Sequence, residues 1–436
     1  MAVSWRQSLS RGITRNVVAL SIVSLLTDVS SEMLVYLVPL YLANVLATSP
    51  AIIGLIEGSA ESVAGLMKLA SGAISDRIHR RRSLVALGYG SSAVGKALFL
   101  IASTWPVVFL ARIGDRLGKG IRTAPRDALI ADSTDERYRG RAFGFHRAMD
   151  TLGAFLGVLA AFVLVTATQA DAALLDAATF QTMVVVALVP AVLAVLAIFV
   201  GVRDVLPRTA SGAEAAPQEP GAALAQLTRR ERLRAAARSL PAAFWIFVAA
   251  NTLFALGNSS DAFLALRTQQ LGVSVQELLL IVVAFNAIDA AVSFPVGALS
   301  DRVGRRAPIA AAWLIYAVSY AGFALASSGT AIGALWLLYG AYYGINEAVG
   351  RAFIADVAPV HLRATGYGIL NFAVALAILP ASVIAGVLWD ALNPSAPFWF
   401  GAACALIAVA LLFAARPLRS AGARSAPIAA AATRSS

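Results

Sequence analysis

The sequence predicts an all-α membrane protein of twelve transmembrane helices, arranged as two pseudo-symmetric six-helix bundles. Three observations predict it. Of the 436 residues, 59% are hydrophobic and only 14% charged, whereas soluble domains carry roughly 45–50% and about 25%. A water-soluble core of this size would leave too much apolar surface wet, so lipid is the expected solvent. Apolar runs also recur at the length of about 20 residues that a bilayer demands. Finally, the second half of the chain repeats motifs of the first.

In chain order the runs are 16–46, 51–75, 83–103, 106–131, 141–167, 179–202, 241–269, 275–299, 307–327, 330–356, 363–389 and 396–415. Most connections are short and hold Pro, Gly or Ser, such as Thr48-Ser49-Pro50. One is long. The stretch 203–240 is rich in Ala, Pro and Arg, with a basic amphipathic segment from Arg229 to Arg238 suited to the lipid surface. The expected organisation is therefore an N-terminal bundle over 1–202, a cytoplasmic linker over 203–240, a C-terminal bundle over 241–415 and a disordered cytoplasmic tail over 416–436.

Charge placement sets the expected orientation. Most of the 35 Lys and Arg residues lie in the N-terminal segment, the even-numbered turns, the linker and the tail, while the 168–178 turn holds Asp171 and Asp176. By the positive-inside rule both termini face the cytoplasm, in a multi-pass protein of a cell membrane such as a bacterial inner membrane. The net charge of +11 is thus a topology signal, and no nucleic-acid partner is expected. One cysteine, Cys404, excludes an intrachain disulfide, and the three histidines, His79, His146 and His361, are too scattered for a metal motif. No Gly-x4-Gly-Lys-Ser/Thr loop occurs, so no ATP motor is expected, and no cofactor or enzyme constellation is visible.

The repeat is explicit. Gly72-Ala-Ile-Ser-Asp76-Arg77-Ile-His-Arg80-Arg81 reappears as Gly297-Ala-Leu-Ser-Asp301-Arg302-Val-Gly304-Arg305-Arg306, and Ala128-Leu-Ile-Ala-Asp132 as Ala352-Phe-Ile-Ala-Asp356. Two matched segments at nearly constant offset mark duplicated halves, and parallel repeats with a site at their interface are a recurring transporter plan. These segments resemble signatures of the major facilitator superfamily. The resemblance spans essentially the whole chain, and it implies a solute transporter working by alternating access. It further implies a conformational lock on the loop face: Gly72, Asp76, Arg77, Asp132 and Arg141 in one half, Gly297, Asp301, Arg302, Asp356 and Arg363 in the other. His79 stands where the family usually has glycine.

Charges inside the spans supply the candidate site. A charge at mid-bilayer costs at least about 2.5–3.5 kcal/mol, so such groups face the bundle interior or water. Asp28 and Glu32 are four apart, as are Glu57 and Glu61, which places each pair on one helix face. Arg112, Asp115, Arg116, Lys119, Arg122 and Arg126 form one stripe on the fourth run. Equal numbers of acids and bases in this half suggest mutual pairing. Arg116-Leu-Gly-Lys-Gly120 resembles the superfamily's fourth-span pattern, whose arginine is tied to proton coupling in many members. Burial favours the neutral carboxyl and a nearby guanidinium the ionised one, so such groups can exchange protons as access alternates. The coupling and cavity candidates are Asp28, Glu32, Glu57, Glu61, Arg112, Arg116 and Asp150, with Asp28 and Glu61 foremost.

The second half is sparser in charge. Asn258, Asp261, Asn286, Asp289, Asn346 and Glu347 are its substrate-binding candidates, since amides suit hydrogen bonding to a solute. The expected function is proton-coupled secondary transport of a small solute by a monomer, with efflux preferred. Ala154 weakens that direction, because family antiporters carry proline in its place. The basic stripe favours an anionic or zwitterionic solute. Import of a small organic anion and a transport-inactive sensor on the same fold are the alternatives.

Overall fold

The computed structural model describes residues 13–78, 80–169, 173–205, 239–357 and 362–414. Among these the chain is helical, without strands. The helices are α1 (Arg15–Val35), α2 (Leu37–Asn44), α3 (Pro50–Ile78), α4 (Arg81–Leu98), α5 (Trp105–Asp132), α6 (Arg139–Thr168) and α7 (Ala177–Gly201) in the first half. The second half has α8 (Ala242–Gly257), α9 (Ala262–Gln270), α10 (Val275–Val303), α11 (Arg306–Leu325), α12 (Gly329–Val357), α13 (Arg363–Ala391) and α14 (Ala396–Ala414). They make twelve spans, because α1 with α2, and α8 with α9, are single spans with a break. Each predicted run coincides with a span to within a few residues. Most of the 203–240 stretch and the tail beyond 414 lie outside the described residues.

The two breaks depart from the expected continuous spans. Pro39 has no N–H to give the carbonyl of Val35, and its ring crowds that oxygen; the chain leaves the helix at Tyr36. The second break has no proline. A Cβ at Gly257 would lie 2.4 Å from Cβ of Cys404, so the helix ends where α14 presses closest. Asn258 then adopts φ −91°, ψ 79°, and Tyr316 Oη donates to the orphaned Gly257 carbonyl at 3.0 Å. The polar run Asn258-Ser259-Ser260-Asp261 is left unwound in the bundle interior.

Packing carries the duplication into three dimensions. Within the first half the span pairs in most extensive contact are 1 with 5, 1 with 6, 2 with 4, 3 with 4 and 3 with 6; the second half repeats them as 7 with 11, 7 with 12, 8 with 10, 9 with 10 and 9 with 12. The halves meet through α3 against α13 and, by the same symmetry, α10 against α6.

Among the described residues, nine helices are long and apolar enough to cross a membrane. The long helices outside that set are α3, α5 and α12. Glutamates interrupt α3, the basic stripe interrupts α5, and tyrosines lower the hydropathy of α12. These three carry the polar inner wall. Outward faces are apolar instead: α7 turns out Val185, Val189, Val192, Leu196 and Phe199, the surface that lipid tails require.

Candidate functional site

A cavity of about 360 Å³ lies between the halves. The first half contributes Glu32, Tyr36, Glu57, Glu61, Arg112, Arg116 and Lys119 to its wall. The second contributes the unwound Asn258–Asp261 segment with Phe285, Asn286, Asp289, Tyr339 and Tyr343.

The first-half wall is organised by two parallel rungs. Arg112 Nε donates to Glu57 Oε1 at 2.8 Å and Nη2 to Oε2 at 2.5 Å, a bidentate pair. One turn further along, Arg116 Nη2 meets Glu61 Oε1 at 3.1 Å. Both helices run in the same direction, so acids four apart on α3 fall opposite arginines four apart on α5. Glu57, Arg112 and Arg116 are at most 6% exposed, so these charges lie inside the bundle and away from lipid. Behind the rungs Lys96, 2% exposed, donates to Ser30 and Ser31 Oγ at 2.9 Å each and stands 4.0 Å from Asp115. Ser92 also hydrogen-bonds Asp115. Arg122 covers the Tyr89 ring at 4.5 Å, and Arg126 pairs with Asp127 and donates to Ser24. The stripe on α5 is therefore largely compensated by neighbouring groups.

Glu32 differs. It lines the cavity, and no ion pair or hydrogen bond among the described residues reaches it or Asp28. Asp28 and Asp150 are not on the cavity wall. They lie in the seam of α1 and α6, where Asp150 faces His146 at 3.6 Å.

The second-half wall is aromatic and amide-rich. Tyr339 Oη donates to Asp261 Oδ1 at 2.7 Å. Phe285 stacks on Tyr339 with centroids 5.8 Å apart and meets Tyr343 edge-on at 5.6 Å. Asn286 and Asp289 lie on α10 beside them. Asn346, expected to face a solute, is instead turned to α11, where it accepts from Trp313 Nε1 at 3.3 Å. The Glu347 side chain lies outside the described residues. Tyr36, Phe285, Tyr339 and Tyr343 escaped the sequence reading. The usable signal was Trp336, Tyr339 and Tyr343 at helical spacing on one face of a single span.

On the loop face Asp132, at the end of α5, is ion-paired with Arg81, the last residue of the first loop motif. Arg141 is exposed and stacks over Tyr138 at 5.5 Å. A Cβ at Gly72 would touch only Ala124, at 3.5 Å. The side chains of Asp76, Arg77, Asp301, Arg302, Asp356 and Arg363 and the surroundings of Gly297 are outside what is described, as is His79.

At the opposite face the halves are joined by hydrogen bonds. Ala51 N donates to Asp390 Oδ2 at 2.9 Å, Gln269 to the Ala173 carbonyl at 3.2 Å, and Gln276 to the Gln169 carbonyl at 2.9 Å. Towards the middle, Ser62 Oγ donates to the Ala375 carbonyl at 2.7 Å.

A duplicated twelve-span bundle with a polar cavity between its halves defines a membrane transporter rather than an enzyme. The Major Facilitator Superfamily model matches residues 20–266 and 250–434, and the chain belongs to that family. It is 30% identical over 408 residues to an uncharacterized MFS-type transporter of Methanocaldococcus jannaschii, covering 92% of this chain and 95% of that one. Among solved structures, a mutant of the nucleoside transporter NupG superposes with a TM-score of 0.72 at 13% identity, over 92% of this chain and 99% of that one. A bacterial homologue of the human lysosomal transporter Spinster, in an inward-facing and unoccupied conformation, gives 0.71 at 18% identity, over 95% and 96%. At these identities the structural likeness establishes the fold.

Proposed function

We propose that the protein is a proton-coupled secondary transporter that exchanges protons for a small organic cation or zwitterion, working as a monomer. The observation that carries this reading is the contrast on the cavity wall between locked and unlocked carboxylates. Glu57 and Glu61 are held by Arg112 and Arg116, whereas Glu32 has no such partner among the described residues. A carboxyl free of a counter-ion can take up and release a proton without breaking an ion pair.

The same charge balance bears on the solute. The basic stripe favours an anion only while its arginines are unpaired, and the two that reach the cavity are neutralised. What remains is Glu32 and Asp261 against Lys119, with the rings of Phe285, Tyr339 and Tyr343 on the same wall as Asp261. Carboxylates beside aromatic faces suit an ammonium group. A carboxylate that holds either a proton or a cation gives exchange, which favours efflux. The competing reading, import of a small organic anion, rests on Lys119, which is exposed and borders the cavity.

Orientation follows from charge: the basic loop-motif face is cytoplasmic. The hydrogen bonds that join the halves at the other face support an inward-facing conformation. The test uses proteoliposomes with benzyltrimethylammonium supplied outside. With the wild type, an imposed pH gradient drives accumulation of the probe. Glu32→Gln lowers gradient-driven accumulation at least tenfold while probe counterflow, which needs no net proton movement, continues. Normal accumulation by Glu32→Gln refutes the coupling assignment, and transport of benzenesulfonate in place of the cation refutes the solute class.

A further inference from the structure

The break in the seventh span strands backbone groups, and one of them is satisfied from another helix. Ser260 sits in the unwound segment, so its N–H has no regular intrahelical acceptor. It donates instead to Ser382 Oγ on α13 at 3.2 Å. Ser260 in turn holds the start of α9. Its Oγ accepts from Ala262 N at 3.3 Å, and its carbonyl accepts from Phe263 N at 3.1 Å. Ser260 lines the cavity together with Asn258, Ser259 and Asp261, and Asp261 is the carboxylate that Tyr339 orients. One hydroxyl of α13 therefore helps to set where that part of the cavity wall stands.

The other side of Ser382 faces the first half. Ser382 is fully buried, and α3 covers it. A Cβ on Gly54 would overlap the Ser382 carbonyl oxygen, and one on Gly58 would lie 2.9 Å from Ser382 Cβ. Glycine at both positions lets the two helices meet at this level. Pro380, two residues before Ser382, deprives α13 of one backbone hydrogen bond, so this turn bends more easily than a regular one. Ser382 thus touches both the segment that lines the cavity and the α3–α13 seam between the halves.

We infer that Ser382 is a positioning residue that couples the solute wall to the seam: its hydroxyl holds Ser260 while its backbone bears the contact with α3. The inference rests on Asp261 and its neighbours being the solute wall of the proposed transporter. A solute drawn to Asp261 pulls on Ser260, and through the hydrogen bond on the turn of α13 that α3 presses. In the other direction, separation of α3 from α13 uncovers Ser382, and water then competes for the Ser260 N–H. Such coupling is reciprocal, and a solute moves the seam only by as much as it prefers one state.

The test follows both directions in the full-length protein in lipid nanodiscs. Hydrogen exchange at the Ser260 amide, localised by fragmentation mass spectrometry, is slow in the wild type. Gly386→Val, which crowds the closed seam, speeds it at least tenfold. Ser382→Ala keeps the Cβ and carbonyl at the seam but removes the acceptor; exchange is fast, and adding Gly386→Val changes it less than twofold. Unchanged exchange in Gly386→Val overturns the inference, and so does slow exchange in Ser382→Ala. For the forward direction, spin labels near the outer ends of α3 and α13 report the seam. Saturating benzyltrimethylammonium shifts their distance distribution in the wild type. In Ser382→Ala that shift falls at least fivefold while probe affinity stays within threefold. A merely structural Ser382 predicts that shift and affinity fall together or that neither falls, and either result overturns the inference. If exchange at Ser260 follows the seam as stated but the probe binds neither protein, the solute class fails and the coupling stands.

Discussion

Replacing Glu57 by Gln is expected to be the most damaging single substitution in the cavity, costing about 3–5 kcal/mol of stability as well as transport. The Arg112 guanidinium is held bidentately by Glu57, and neither residue is more than 4% exposed. Glutamine keeps the shape and one acceptor oxygen, but it leaves a full positive charge on Arg112, which is only 4% exposed. Arg112→Met leaves the mirror problem, an uncompensated carboxylate, at similar cost. The double substitution Glu57→Met with Arg112→Met removes both charges, and an apolar pair of matching volume there is expected to recover most of the lost stability. Thermal melts of the wild type, both singles and the double, arranged as a double-mutant cycle, measure the coupling. A coupling energy below about 1 kcal/mol, the range of solvent-exposed pairs, would mean that water reaches this rung.

That prediction draws on information partly present in the sequence. Glu57 and Glu61 are four apart, and so are Arg112 and Arg116; equal spacing on two spans that cross in the same direction is what parallel rungs require. The sequence reading recognised the stripes and the need for pairing, but not which acid meets which base, because partner choice depends on the rotation of each helix. The twelve spans were legible because bilayer thickness fixes their length. The broken spans were not. Pro39 was visible, yet proline is common in membrane helices that stay continuous. The break after Gly257 depends on how near α14 comes, a tertiary fact. His146 was considered only as a metal ligand and set aside, although Asp150, four residues on, was already a candidate. The aromatic wall was missed for a similar reason: tyrosines in an apolar span resemble ordinary packing until a cavity is seen beside them.

Replacing Gly54 or Gly386 by valine is expected to invert the conformational preference of the transporter. A Cβ at Gly54 would lie 2.1 Å from the Ser382 carbonyl oxygen, and one at Gly386 would lie 2.4 Å from that of Pro50. Both contacts are to backbone, which cannot rotate away as a side chain can. They also lie in the α3–α13 seam that joins the halves at the face opposite the loop motifs. An overpacked contact of this kind costs about 1–3 kcal/mol or more, and each 1.4 kcal/mol is a factor of ten in a two-state population. In an alternating-access transporter the two helices separate at that face when the other conformation forms, so the penalty falls on one state only. Spin labels placed near the outer ends of α3 and α13 are expected to show a longer distance becoming dominant in Gly386→Val, while Gly140→Val, at a position where a Cβ meets nothing within 4 Å, keeps the wild-type distribution. The effect discriminates between a seal and a permanent joint. If the seam is a fixed weld between two structural units, the valine variants lose stability and the distances do not lengthen. If it is a gate, stability is largely kept and the population moves.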